Sequence, residues 1–181
     1  LQQKPDARCF VEKLHRASPT YQLQWSLYAH SQSVLIVRDF RDRFCSVLSF
    51  NQKRGFDGFH YKEAKSNLAY ALQTRHEFLQ YEATQREYPD RVHVVRYEDL
   101  ILEPRATLKR LYEALDLPLT DAAFEAAFAA STEDTPNLAY HRTTRSAAES
   151  IGRWKTDLSP KLKALYRDQL GDLLAQFGYE V

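Results

Sequence analysis

The residues best suited to chemistry in this 181-residue chain are arginines and aspartates that follow directly on an apolar run. Val34–Val37 leads into Arg38, and an Arg-Asp-x-Arg-Asp pattern then runs to Asp42. Ser46 stands about two turns into the helix that starts at Phe40. An arginine fork and a nearby hydroxyl can bind the same anion, so the spacing predicts a phosphate site at Arg38 and Ser46. The same charges would also suit a solvated helix start with weak surface ion pairs.

Two elements must hold this cluster in place. The β-branched run predicts a strand over Ser33–Val37, buried on both faces as in a parallel sheet. The helical spacing that follows predicts a helix over Phe40–Gln52. Its expected buried face comprises Phe40, Phe44, Val47 and Leu48. Parallel α/β sheets place their binding sites at the carboxyl ends of the strands, which is where Arg38 stands.

Strands and helices alternate along the rest of the chain, which predicts an α/β fold with a parallel sheet. A second strand is expected over Arg91–Arg96, a shorter one over Cys9–Val11, and a polar loop over Ser131–Ser150. The other expected helices are Tyr21–Ala29, Tyr61–Glu87, Glu103–Leu115, Thr120–Ala130 and one from Pro160 to near Gly178. On the longest of them, the expected buried side carries Leu68, Leu72, Phe78 and Leu79.

Tyr97 follows the second predicted strand, which places a tyrosine at a strand end. An aromatic ring there can stack on a nucleotide base or hydrogen-bond to it. Such a tyrosine would also serve simply to cap the edge of the core. The acidic pair that follows, Glu98 and Asp99, could order nearby basic groups or cap the next turn.

A polar stretch around residue 150 offers a further group of candidate ligands. Gly152 would let the backbone approach a bound group closely. Arg142, Arg145 and Arg153 supply cations that suit a phosphate. The alternative is a solvent-exposed loop in which Trp154 is the buried anchor.

Lys13 and His15, near the amino terminus, are the candidate catalytic residues. Lys13 could stabilise charge on a transferring group, and His15 could accept a proton at neutral pH. A single histidine is nevertheless more often structural or exposed. The cysteines show neither CxxC nor Cys/His ligand spacing, so no metal site is predicted.

Composition narrows the classes of function. The chain is 44% hydrophobic and 27% charged, as expected of one globular domain over residues 1–181. A net charge of +1 gives no global field for nucleic acid or an anionic membrane, so any anion site must be local. The sequence has no transmembrane run. The lack of glycosylation sequons and of a cysteine framework favours a cytoplasmic protein.

Three segments in this order resemble the sulfotransferases that use 3′-phosphoadenosine 5′-phosphosulfate (PAPS). VLIVRDFRDRFCSVLSF resembles their 3′-phosphate-binding strand and helix. VVRYEDLILEPRATLKRLYEALDLPL resembles the following strand with its Tyr-Glu-Asp turn, and ESIGRWKTDLS the late Gly-x-Trp loop that closes over the nucleotide. FVEKLH resembles the segment that precedes the 3′-phosphate strand in many members. The resemblance covers nearly the whole chain and implies a P-loop-type, three-layer fold.

The resemblance also implies a role for each candidate residue. Arg38 and Ser46 would bind the 3′-phosphate of PAPS or of its product adenosine 3′,5′-bisphosphate (PAP), and Tyr97 would lie near the adenine. The late-loop residues that would contact the nucleotide are Arg142, Arg145, Gly152, Arg153 and Trp154. Lys13 or His15 would lie near the sulfuryl group, which would pass to a hydroxyl or amine acceptor.

One family feature has no counterpart in the sequence: the Gly-rich loop that binds the 5′-phosphosulfate. The five glycines, at 55, 58, 152, 171 and 178, lie in no such loop. We therefore expect a fold that is incomplete at its amino-terminal end and a chain that is inactive alone. The missing segment would belong to the full-length protein or to another chain, or would have been lost in evolution. Two alternatives stay open: a non-catalytic interaction module, and a P-loop kinase-like phosphotransferase, whose GKS/T motif is missing.

Overall fold

The computed structural model describes residues 9–13, 20–56, 58–61, 64–132 and 135–181. In this part of the chain the sheet consists of two parallel strands, β1 (Ser33–Val37) and β2 (Val92–Arg96). Residue 33 pairs with 92 and residue 37 with 96, so both strands end at the same edge. Parallel strands joined by helices confirm the predicted α/β class.

Helices make up most of the remaining described chain. They are α1 (Thr20–Leu27), α2 (Phe40–Arg54), α3 (Asn67–Glu87), α4 (Tyr97–Leu102), α5 (Pro104–Ala114), α6 (Asp121–Thr132), α7 (Pro136–His141), α8 (Trp154–Asp157) and α9 (Pro160–Gln176). The Asp39 carboxylate accepts the N–H of Arg41 and caps the start of α2. Gly55 ends α2 with a φ of 68°, a conformation that favours glycine. None of the described helices combines the length and apolarity needed to cross a membrane.

The core lies between β1 and helices α2, α3 and α9. At its centre the Phe44 ring is 5.2 Å from Tyr70 of α3 and 5.3 Å from Tyr166 of α9. The predicted core face of α2 is confirmed, because Phe40, Phe44 and Val47 are buried and Leu48 packs against the cluster. Burial of each large apolar side chain contributes about 1.5–3 kcal/mol, which fixes α2 against its neighbours.

The longest helix, α3, buries a different side from the one predicted. Its buried residues are Tyr70, Ala71, Thr74 and Phe78. Leu68, Leu72 and Leu79 are 46%, 45% and 39% exposed, so the predicted side was wrong except at Phe78. The helix also begins at Asn67 rather than at Tyr61. The Ser66 hydroxyl accepts the N–H of Ala69 and caps that start.

Four further predictions of local structure were wrong. Strand β1 is buried on one face only: within the described residues nothing covers Val34 and Ile36, which are 41% and 57% exposed. Residues 9–13 form no strand. The predicted Tyr-Glu-Asp turn is instead helix α4, which ends just before Pro104 begins α5. The predicted polar loop contains α7 and a short 3-10 helix, Ala148–Ser150.

Candidate functional site

The carboxyl ends of the two strands bring Arg38 and Tyr97 together. Arg38 follows β1, Tyr97 follows β2, and the guanidinium lies 4.8 Å from the centre of the tyrosine ring. Arg38 Nη2 donates to the Ser150 carbonyl at 2.8 Å, while its Nε is buried and has no partner in the described structure. A buried N–H without an acceptor is unfavourable, so Arg38 has a donor available for an anion.

Helix α2 carries a polar face opposite its core face. Four side chains recur there every three or four residues and lie on one side of the helix. We call this set, Asp42, Ser46, Ser49 and Lys53, the polar stripe. Every member contacts the segment 139–154, which runs over this side of the helix. The segment 139–154 therefore covers α2 on the side away from the core.

Side-chain hydrogen bonds hold the segment along most of the polar stripe. Ser46 Oγ lies 3.2 Å from Thr143 Oγ1, and Ser49 Oγ accepts from Arg153 Nη2 at 2.8 Å. Lys53 Nζ donates to three carbonyls at the end of α7, those of Ala139, Tyr140 and Arg142. These carbonyls have no further turn of helix to bond to, so the Lys53 ammonium caps α7.

Asp42 makes the shortest contact between the polar stripe and the segment. Its Oδ2 accepts the N–H of Gly152 at 2.6 Å, and its Oδ1 accepts the N–H of Trp154 at 2.8 Å. Burial raises the pKa of the Asp42 carboxyl, although the two backbone donors act in the opposite direction. Gly152 has a φ of 74°, which few residues other than glycine adopt readily. The Arg41 guanidinium lies 3.6 Å from the centre of the Trp154 ring.

A buried carboxylate, Glu98, ties the strand ends to the last residues of the chain. Glu98 Oε1 accepts the Asp39 N–H at 3.0 Å, and Oε2 accepts the Tyr179 hydroxyl at 2.8 Å. The same hydroxyl lies 3.2 Å from the Val37 carbonyl oxygen. Burial and the nearby Glu98 carboxylate raise the pKa of Tyr179. Glu98 thus holds the start of α2 beside β2, where the sequence had suggested contacts with basic groups or a turn cap.

The structure brings most of the predicted nucleotide-binding residues together. Those that lie at the strand ends or on the contact between α2 and the segment are Arg38, Ser46, Tyr97, Gly152, Arg153 and Trp154. The Arg153 guanidinium also binds Asp157 at 2.6 Å, and it therefore clamps the segment as well as supplying charge. Trp154 is half-buried against Arg41, which agrees with its alternative interpretation as an anchor.

Arg142 and Arg145 lie at the rim of this site. Both side chains are exposed and line an open pocket of about 380 Å³, whose other lining residues are Ser49, Lys53, Ala139, Thr143 and Thr144. The lining contains three cations and three hydroxyls and no carboxylate. A pocket of this composition, next to Ser46 and Thr143, suits an anion with several oxygens.

The two candidate catalytic residues do not join this cluster. Lys13 is exposed, in irregular backbone, and no hydrogen bond or ion pair of the described residues links it to Arg38 or Tyr97. His15 lies outside the described residues. Their catalytic roles stay predictions.

Sequence reasoning missed the positions of the polar stripe other than Ser46, and it missed Tyr179. The signal for the stripe is its spacing on α2, with polar residues four, three and four positions apart. The same spacing is typical of a solvent-facing helix side, so the sequence alone does not reveal that a distant segment covers it.

Comparison with known proteins identifies the family of this chain. The family profile described as "Sulfotransferase family" matches residues 2–121, well over half of the chain. Carbohydrate sulfotransferase 1 of Rattus norvegicus is 32% identical over 90 residues, and that of Homo sapiens is 31% identical. The match takes in 49% of this chain and 22% of each relative, so the chain corresponds to a small part of those proteins.

A solved structure extends the likeness to the fold. The crystal structure of mouse sulfotransferase SULT7A1 complexed with PAP matches with a TM-score of 0.51 at 15% identity, over 86% of this chain and 65% of that chain. This match confirms the predicted P-loop-type α/β fold, and part of the mouse protein's fold has no counterpart here. Taken with the family profile, these findings show that the chain belongs to the sulfotransferase family.

Proposed function

We propose that this chain forms the half of a PAPS-dependent sulfotransferase site that holds the 3′-phosphate and the adenine. The observation that carries the proposal is the meeting of Arg38 and Tyr97 at the strand ends, with the buried Arg38 Nε lacking an acceptor. A guanidinium fork suits a phosphate, and an adjacent aromatic ring suits a base. PAP is the nucleotide in the mouse sulfotransferase structure, which supports this class of ligand.

Binding would exchange contacts within the protein for contacts with the nucleotide. Arg38 now donates to the Ser150 carbonyl, and Ser46 pairs with Thr143. Phosphate oxygens would take the place of both partners and accept hydrogen bonds from Arg38 and Ser46. Arg142 and Arg145 would add positive charge from the rim. The exchange is favourable because a dianionic phosphate accepts stronger hydrogen bonds than a carbonyl or a hydroxyl does.

The transfer step needs groups beyond this half-site. PAPS would supply the sulfuryl group, and a hydroxyl or amine would accept it. Lys13 and His15 remain our candidates for stabilising charge and accepting the proton. Since relatives from rat and human are named carbohydrate sulfotransferases, a carbohydrate hydroxyl is the first acceptor to test.

A thermal-shift titration of the chain tests the nucleotide half-site. A ligand that binds only the folded state raises the melting temperature as its concentration passes the dissociation constant. We expect PAP to stabilise the chain and adenosine 5′-monophosphate, which lacks the 3′-phosphate, to do so much less. Stabilisation by ATP in preference to PAP would instead support a kinase-like phosphotransferase.

A non-catalytic interaction module is the second candidate. The observation in its favour is that none of the five glycines lies in a phosphosulfate-binding loop. In such a module the segment 139–154 would keep its present contacts with α2 permanently. The same titration separates the two candidates, because the module predicts no stabilisation by PAP, AMP or ATP.

A further inference from the structure

The contacts of Asp42 suggest what sets the shape of the late loop. We infer that Asp42 is a positioning residue, which holds the turn from Gly152 to Trp154 so that the loop closes against Arg38 and Tyr97. This inference rests on the proposed function, because it assigns a role within the same nucleotide site. It adds a carboxylate to a site whose expected ligands are cations, hydroxyls, aromatic rings and the backbone of Gly152.

The partners of Asp42 indicate a backbone-holding role. The side chain is 1% exposed, and no ion pair of the described residues involves it. Both carboxylate oxygens instead accept backbone N–H groups, one from Gly152 and one from Trp154. A carboxylate that binds two amides two residues apart fixes the dihedral angles of the turn between them, which a salt bridge to a flexible side chain would not do.

The turn that Asp42 holds lies directly beside the candidate nucleotide ligands. Ser150 is two residues before Gly152, and its carbonyl accepts from Arg38. The Ser150 hydroxyl lies 3.3 Å from the Tyr97 hydroxyl. Because Ser150 and Gly152 belong to the same short stretch of backbone, an anchor at Gly152 also sets the distance of the loop from both strand ends.

A second contact, between Arg41 and the ring of Trp154, also holds the turn. The Arg41 guanidinium stacks on the Trp154 ring and also donates to the Glu180 carbonyl at 2.6 Å. Asp42 and Arg41 are consecutive on α2. The helix start therefore binds the Trp154 backbone through Asp42 and contacts the Trp154 ring through Arg41. The helix start is in turn fixed by its core face, with Phe40 and Phe44 buried. The loop thus takes its position from a helix whose other face is buried in the core.

The experiment compares Asp42→Asn with Glu77→Gln. The asparagine keeps the shape of the side chain but turns one acceptor oxygen into an N–H donor facing a backbone N–H. Glu77 lies on α3 and pairs with Arg43 of α2 at 2.9 Å. Glu77→Gln therefore also neutralises a partly buried carboxylate, but it does not alter the contacts with the loop. Two quantities are measured in each protein: hydrogen exchange of the Gly152 and Trp154 amides, and the dissociation constant for PAP.

We expect a local and a functional effect in Asp42→Asn only. The Gly152 and Trp154 amides should lose protection while the amides of α9 keep theirs. The PAP dissociation constant should rise by about tenfold, as expected when a charge-assisted hydrogen bond that orders a site is lost. Retained protection of the two amides, or an unchanged dissociation constant in a variant that has lost that protection, would overturn the inference.

A second variant and the unmodified chain cover the cases in which Asp42→Asn does not fold or PAP does not bind. If Asp42→Asn does not fold, Gly152→Ala disturbs the same turn from the loop side, because alanine resists a φ of 74°. Its Cβ would meet no atom within 4 Å, so the change acts through the backbone angle and not through a clash. The same two effects are then expected, and unchanged exchange and affinity would contradict the role of the turn. If the unmodified chain binds no PAP, the proposed function fails, and amide exchange alone decides whether Asp42 holds the turn.

Discussion

Helix α2 holds its neighbours on two opposite faces by different physical means. On the core face, Phe40 and Phe44 are buried among aromatic rings of α3 and α9. On the other face, the polar stripe holds the segment 139–154 by hydrogen bonds. One face therefore depends on close packing and the other on donors and acceptors.

The difference determines which face can respond to a ligand. Packed rings cannot exchange partners without opening a cavity, which is strongly unfavourable. A hydrogen bond contributes only about 1 kcal/mol net, because it replaces a bond to water, and another acceptor of suitable geometry can take its place. The core face therefore sets the position of α2, while the polar stripe can exchange Thr143 for phosphate oxygens.

The largest expected effect is on the core face. Phe44→Ala should lower the free energy of unfolding by about 3–5 kcal/mol, because it leaves a cavity among Tyr61, Tyr70 and Tyr166. Urea denaturation measures the change. Phe56→Ala, at a side chain that is 48% exposed, is the control and should change stability by less than about 0.5 kcal/mol. Similar values for the two variants would remove the contrast between the faces of α2.

The next largest effect is on nucleotide binding. Arg38→Ala should weaken PAP binding by about 10–100-fold while leaving the fold intact, because a charged hydrogen-bond donor is lost. Arg38→Lys should also weaken it, since an ammonium cannot reproduce the guanidinium fork. Isothermal titration calorimetry measures the affinities, with Arg75→Ala as a control at the ion pair with Asp172. Unchanged affinity in Arg38→Ala would remove Arg38 from the site.

A smaller effect compares two serines of the polar stripe. Ser46→Ala should weaken PAP binding by about 3–10-fold, the range expected for one neutral hydrogen bond. Ser49→Ala makes the same chemical change three residues later, where the hydroxyl accepts from Arg153, and should alter affinity less. The two variants are compared by titration under the same conditions. Equal losses would mean that Ser46 acts only by holding the segment.

The smallest effect is the pH dependence of the clamp between Arg153 and Asp157. Burial opposes ionisation of Asp157, but hydrogen bonds from Arg153 and Thr156 prevail and lower its pKa below the ordinary 3.8. The associated stability is present above that ordinary value and is lost as pH falls through the lowered pKa. Asp157→Asn should remove this part of the acid dependence, an effect below about 1 kcal/mol in urea unfolding at pH 2 to 6. An identical acid profile in both proteins would contradict the clamp.

The sequence predicts strands β1 and β2 and the carboxyl-end site well, for a physical reason. A buried strand must be an apolar run, and the ends of parallel strands meet at one edge of the sheet. Arg38 and Tyr97 therefore meet as expected, 4.8 Å apart. Helix α2 is equally predictable, because Phe40, Phe44, Val47 and Leu48 share one helical face.

The features that the sequence did not predict share a different cause. Helix α3 has apolar residues on two sides, and only tertiary packing decides that Phe78 is buried while Leu72 is exposed. The role of Asp42 was likewise hidden, because its partners lie 110 and 112 residues away. Periodicity reports local geometry and carries no information about which distant backbone will cover a polar face.

Strand β1 has a consequence for the behaviour of the purified chain in solution. Its outer edge pairs with no described strand, and the β-branched Val34 and Ile36 are exposed beside it. An open edge with apolar side chains is a template for strand addition between molecules. We expect light scattering to rise with protein concentration, and Ile36→Lys to suppress that rise without affecting PAP binding. Colloidal stability, and not folding stability, would then limit the concentration that the chain reaches in solution.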